Sequence, residues 1–132
     1  MNEAQPKAIH LKDYQAPNYL VVSTELRFEL DEDSTTVVSK LTVRRNPDGD
    51  GTAQLRLDGV GLELVQVSID GRALSGNEYR LDDESLTIFE VAEQALVSCT
   101  TRISPKANTA LEGLYVSGPM LYTQCEAQGF RR

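Results

Sequence analysis

The residues best placed to do chemistry lie together near the end of the chain, in Tyr122-Thr123-Gln124-Cys125-Glu126-Ala127-Gln128-Gly129-Phe130-Arg131. Gln124 and Glu126 are two positions apart, so an extended backbone would project both from the same face. An amide oxygen beside a carboxylate offers acceptors to a cation, and an ammonium group suits them. A plainer use is also open: Glu126 pairs with Arg131 or faces water, as exposed glutamates commonly do. Residues 108–115 and 122–131 follow neither strand nor helix periodicity. The closing segment therefore reads as a shaped loop, and shaped loops on rigid sheets are where sites tend to sit.

Other reactive side chains are few. The one histidine, His10, falls in a polar arm spanning residues 1–13. A nucleophile needs its histidine held against it by a rigid scaffold, which an arm does not provide. Catalytic zinc wants about three protein ligands and an open position. One histidine and two cysteines far apart, Cys99 and Cys125, do not supply that set. No H-E-x-x-H, no phosphate-cradling glycine loop and no C-x-x-C is present. Cys99 alternates with Val97 and Ile103 and reads as a small core residue. Cys125 reads as a packing or backbone-positioning residue, since Arg131 is its only cationic neighbour in sequence.

The elements that must position these groups are strands. Leu20, Val22, Leu26, Phe28 and Leu30 fall on alternate positions and are expected on one buried face of a long strand, with a turn at Asp31-Glu32-Asp33-Ser34. Val37, Leu41 and Val43 share a face of the next strand, with Lys40, Thr42 and Arg44 opposite. These two strands are expected to form an antiparallel hairpin. Leu55 and Leu57 mark a short strand. The apolar set then changes from even to odd positions at Val65, which suggests a bulge. Asp70-Gly71 is a two-residue hairpin signal, because both residues tolerate positive φ. Tyr79 with Leu81, Leu86 with Ile88, and Val97 through Ile103 complete the set, and residues 90–94 could form at most one helical turn. Seven or so short strands without an amphipathic helix predict an all-β fold, a curved antiparallel sandwich in a single domain.

Composition sets the outer bounds. The 132 residues suffice for one core, built from Leu, Val and Ile because tryptophan is absent. A net charge of −7 with scattered basic residues argues against nucleic acid or an anionic membrane as partner. Residues 1–13 lack the apolar run of a signal peptide, and no stretch approaches the ~18 apolar residues of a bilayer span. Two cysteines are too few for a disulfide framework. A reducing, cytoplasmic setting is the expectation.

In the motifs Asn108-Thr109-Ala110-Leu111-Glu112-Gly113-Leu114-Tyr115 and Thr123-Gln124-Cys125-Glu126-Ala127-Gln128-Gly129-Phe130-Arg131, the chain resembles the amino-terminal domain of bacterial aminopeptidase N, a zinc metallopeptidase family of the gluzincin type. Asp13-Tyr14-Gln15-Ala16-Pro17-Asn18-Tyr19 and Leu57-Asp58-Gly59 extend the likeness over nearly the whole chain. The resemblance implies a curved β-sandwich over residues 1–132, truncated before a thermolysin-like catalytic domain on which it would pack. It further implies that Gln124 and Glu126 bind the α-amino group of a peptide substrate. Zinc, its ligands and the general base would come from the catalytic domain, so the fragment alone is expected to be inactive and to bind no zinc. A standalone module binding a protein or glycan is the competing reading. An excised domain would expose apolar residues that normally meet the catalytic domain, among them Leu111, Leu114, Tyr115, Leu121, Tyr122 and Phe130, and self-association is expected there.

Overall fold

The computed structural model describes residues 12 and 16–125. Ten strands follow in order: β1 (Tyr19–Glu29), β2 (Thr35–Arg45), β3 (Leu55–Asp58), β4 (Glu63–Ile69), β5 (Arg72–Ala73), β6 (Tyr79–Leu81), β7 (Ser85–Ile88), β8 (Gln94–Ile103), β9 (Gly113–Ser117) and β10 (Met120–Gln124). Every pairing is antiparallel. A five-stranded sheet runs β1-β2-β8-β4-β5, a three-stranded sheet runs β3-β7-β6, and β9 and β10 form a separate hairpin. The all-β sandwich expected from the alternation is the fold observed.

The core forms between the two larger sheets. Val43 from β2, Val97 from β8, Val67 from β4 and Ile88 from β7 are fully enclosed, with Tyr19, Leu55, Leu86, Val91 and Ala95 around them. Strand β7 is central in the small sheet and buried throughout. It therefore reads as a mixed Ser-Leu-Thr-Ile run rather than a clean alternation. The Tyr19 hydroxyl donates to the Val91 carbonyl across 72 positions of sequence. Arg45 lies over the same ring at 5.9 Å and donates to the Val91 carbonyl at 3.2 Å. These contacts fasten the start of β1 to the core by both its apolar and its polar ends.

Several turns form as their residues dictate. Asp70 and Gly71 take φ of 50° and 84°, the left-handed pair that the tight β4–β5 turn requires. The register of β4 against β8 slips between Leu64 and Gln66, which places the expected bulge at Val65. No helical turn forms over 90–94; Gln94 already opens β8.

Strand β1 departs from its expected pattern. Its pairing with β2 slips between Val21 and Ser23, so Val22 is an extra residue in a bulge. The slip puts Val21, Leu26 and Phe28 on one face and sends Leu20 to the other. The expected single row of Leu20, Val22, Leu26, Phe28 and Leu30 is thereby broken. Nor is the row buried: Leu26 and Phe28 are 53% and 48% exposed. Only the start of β1, at Tyr19, reaches the buried core.

Carboxylates cap the loops between strands. Asp31 accepts from the backbone N–H groups of Asp33 and Ser34, and Asp82 from those of Glu84 and Ser85. Asp50 accepts from Thr52, and Glu78 from Ser75 and Arg72. Hydrogen bonds from the backbone hold the carboxyls of Asp31, Asp50, Asp82 and Glu78 below their ordinary values of 3.8 for Asp and 4.5 for Glu. A carboxyl whose folded pKa is depressed contributes stability above its unfolded value, and that contribution is lost as pH falls through the folded value. The urea midpoint is therefore expected to be flat from neutral pH to about pH 5 and to fall below about pH 4. Asp82→Asn, which keeps an acceptor but cannot titrate, should reduce that acid loss.

Candidate functional site at the closing hairpin

The segment that leads to Gln124 is organised by one side chain. After β8, the buried Pro105 ends the large sheet, and its carbonyl accepts the Val116 N–H at 3.3 Å. Asn108 then satisfies three backbone groups. Its Nδ2 donates to the carbonyls of Glu112 at 2.7 Å and Leu114 at 2.9 Å, while its Oδ1 accepts the Ala110 N–H at 3.1 Å. These bonds bend residues 108–114 into a compact loop. Leu111 there takes φ of 58°, a conformation uncommon for a non-glycine residue, and Gly113 takes 70°.

Residues 113–124 correct the loop expectation. They form the β9–β10 hairpin, in register from Met120 opposite Ser117 to Gln124 opposite Gly113. The alternation was hard to read because both strands are short, and β9 opens on a glycine. Gly118 supplies the positive φ of 60° at the turn. Tyr115 and Tyr122 stand opposite each other and stack, with ring centroids 5.9 Å apart and planes inclined by 20°. Period two puts Met120, Tyr122 and Gln124 on one face of β10. Gln124 is exposed, and its partner Gly113 has no side chain to crowd it. The hairpin thus presents Gln124 at its open end beside a tyrosine pair. Sequence reading treated those tyrosines only as apolar surface; their positions directly across a two-residue turn were the available signal.

Glu126 lies just beyond the last described residue, as do Phe130 and Arg131, and His10 is likewise outside the described residues. Strand β10 ends at Gln124. Among the described residues no group of three His, Cys, Asp or Glu side chains could hold a metal ion.

The two thiols differ in environment. Cys99 is buried in β8, and burial pushes its thiol up to about 11 from 9.0, partly opposed by Ser39. Cys125 is half-buried at the end of the hairpin. Burial thus disfavours the thiolate form of Cys99. Ellman's reagent is expected to modify Cys125 readily in the folded chain and Cys99 only after urea unfolding. Equal rates for both in the native state would contradict this placement.

The sequence is 41% identical over 131 residues to aminopeptidase N of Caulobacter vibrioides, covering 99% of this chain and 15% of that protein. The chain is homologous to the amino-terminal region of bacterial aminopeptidase N. Aminopeptidase N of Escherichia coli is also 41% identical, over 127 residues, covering 96% of this chain and 14% of its own length. The chain thus spans about a seventh of the aminopeptidase N sequences it matches. No family model matches it. Among solved structures, Legionella pneumophila aminopeptidase A, crystallised with aspartic acid, superposes with a TM-score of 0.79 at 29% identity, over 92% of this chain and 14% of that one. An M1 zinc metallopeptidase from Deinococcus radiodurans, bound to a Tyr-Ser-Ala substrate, gives a TM-score of 0.63 at 13% identity. It covers 86% of this chain and 28% of its own, and shares the fold. Among the described residues no helix is long and apolar enough to cross a membrane.

Proposed function

We propose that the chain is the amino-terminal, substrate-anchoring domain of a cytoplasmic zinc aminopeptidase, in which Gln124 and Glu126 receive the α-ammonium of a peptide. The observation that carries this reading is the 41% identity running over 131 residues, through the hairpin that ends at Gln124. In this arrangement a catalytic domain supplies the zinc, its ligands and the general base, and this domain packs against it. Zinc would polarise the scissile carbonyl and activate water there. The residues of this chain do something different. The amide oxygen of Gln124 and the carboxylate of Glu126 accept hydrogen bonds from the ammonium group and fix the amino end of the substrate. Only the first peptide bond can then lie over the reacting centre. An internal peptide bond brings no ammonium and would leave Glu126 desolvated and unpaired, which is costly. Specificity for chain ends therefore comes from a domain that never touches the bond being cut.

The division of labour has a direct test. The chain alone, given zinc and an aminoacyl chromogenic substrate, is expected to show no turnover. A polypeptide joining it to an aminopeptidase N catalytic domain is expected to cleave free-amine substrates and to reject their N-acetylated forms. Sustained hydrolysis by the pure 132-residue chain would sink the proposal.

A further inference from the structure

The β9–β10 hairpin carries Gln124 yet pairs with no other described strand. A two-stranded hairpin standing alone is marginally stable in water, so its placement depends on what fastens its base. The fastening starts at Pro105, which is fully buried. Its carbonyl accepts the N–H of Asn108 at 3.2 Å and that of Val116 at 3.3 Å, joining the loop and β9 at one point. The adjoining Lys106 N–H donates to the Glu32 carbonyl at 2.9 Å, which ties that point to the β1–β2 turn.

Beyond this root, order passes through one side chain. Residues 109–112 are exposed, so core packing does not hold their bend. The Asn108 amide brackets two unusual positions instead. Its bonds to the Ala110 N–H and the Glu112 carbonyl fall on either side of Leu111, at a φ of 58°. Its bonds to the Glu112 and Leu114 carbonyls fall on either side of Gly113, at a φ of 70°. A strained non-glycine residue persists only where its surroundings over-determine it, and such residues cluster at ligand clamps. Gly113 is also the residue directly opposite Gln124. Asn108 therefore grips the backbone against which Gln124 is registered.

We propose that Asn108 is a positioning residue for the substrate amine: by holding both carbonyls that flank Gly113, it fixes where Gln124 stands. The inference rests on the amine-anchoring reading of Gln124 and Glu126, and adds to it the residue that holds Gln124 in place. Asparagine suits the task because one planar amide supplies two donors and an acceptor. Aspartate has nearly the same shape and keeps the acceptor for Ala110. It loses both donors, however, and sets a negative oxygen against two carbonyls.

The test compares leucine hydroxamate with its desamino counterpart, by calorimetric titration of a polypeptide joining this chain to a zinc-loaded aminopeptidase N catalytic domain. Unaltered, it should bind the amine-bearing compound more tightly. A displacement of about 1 Å can cost about a hundredfold, so Asn108→Asp should raise Kd for leucine hydroxamate at least about tenfold and leave that of the desamino compound within about threefold. Kd does not depend on how much of the polypeptide is folded, so partial unfolding lowers the stoichiometry without moving this ratio. Gly113→Ala disturbs the same turn without touching Asn108. A Cβ there meets no atom within 4 Å, so the variant acts only through the positive φ, and it should show the same selective loss. Should Asn108→Asp fail to fold, Gly113→Ala carries the test. Equal affinity of the unaltered polypeptide for both compounds would overturn the anchoring reading and this inference together. Discrimination kept in Asn108→Asp but lost in Glu126→Ala would overturn the positioning role alone.

Discussion

Glu126→Ala, introduced into a polypeptide that joins this chain to an aminopeptidase N catalytic domain, is expected to cost about 2–5 kcal/mol in kcat/KM for free-amine substrates. Removing the carboxylate leaves a substrate ammonium desolvated with Gln124 as its remaining acceptor from this chain. Part of the loss is thus the penalty on the stranded charge rather than the worth of the contact. If the interaction is already made in the ground state, the loss appears in KM; if it tightens during reaction, it appears in kcat. N-acetylated substrates, which carry no ammonium, should be affected far less, so discrimination between the two classes should shrink. Glu126→Gln should retain hydrogen bonding but not charge and fall between the two. Kinetics unchanged in both KM and kcat would remove Glu126 from the site while leaving the homology and the fold untouched.

Ile88→Ala is expected to destabilise the isolated domain by about 2–5 kcal/mol. Ile88 is 1% exposed at the end of β7, with Leu55 and Tyr79 directly across on its two neighbouring strands. The small sheet wraps Ile88 from both sides, so little can collapse into the space left behind. Against a total stability of about 5–15 kcal/mol for a chain of this size, that is a large fraction. Leu81→Ala, at a site 52% exposed, should change stability by less than about 1 kcal/mol. Urea unfolding of both variants measures the contrast. Similar losses at the two positions would mean that β7 is not the clamp of the core.

How far the fold was legible depended on local punctuation. Turns written by Asp and Gly were read correctly: Asp31 to Ser34, Asp70-Gly71, and Asp82 to Glu84 all separate the strands they were expected to separate. The change of phase at Val65 disclosed its bulge because the apolar set switched parity there. The bulge at Val22 left no such mark. Val21 and Val22 are both apolar, so either phase fits the sequence, and pairing with β2 decided between them. The β9–β10 hairpin was missed for another reason: its residues are ordered by Asn108 and by stacking across the turn, neither of which leaves a period. At the candidate site, the residue types allowed an ammonium guest but by themselves favoured a plain surface glutamate, and only the family resemblance pointed to the amine. Neither residue type nor fold distinguishes those uses, because Glu126 lies outside the described residues.

The tyrosine stack beside Gln124 also has an optical consequence. The chain contains no tryptophan, so its near-ultraviolet circular dichroism arises chiefly from five tyrosines. Tyr115 and Tyr122 are held 5.9 Å apart at a shallow angle, close enough for their transitions to couple. Any group that settles against that face of the hairpin is expected to alter the coupling. The protein therefore carries its own chromophore pair beside Gln124, and a titration of that face can be followed without any label.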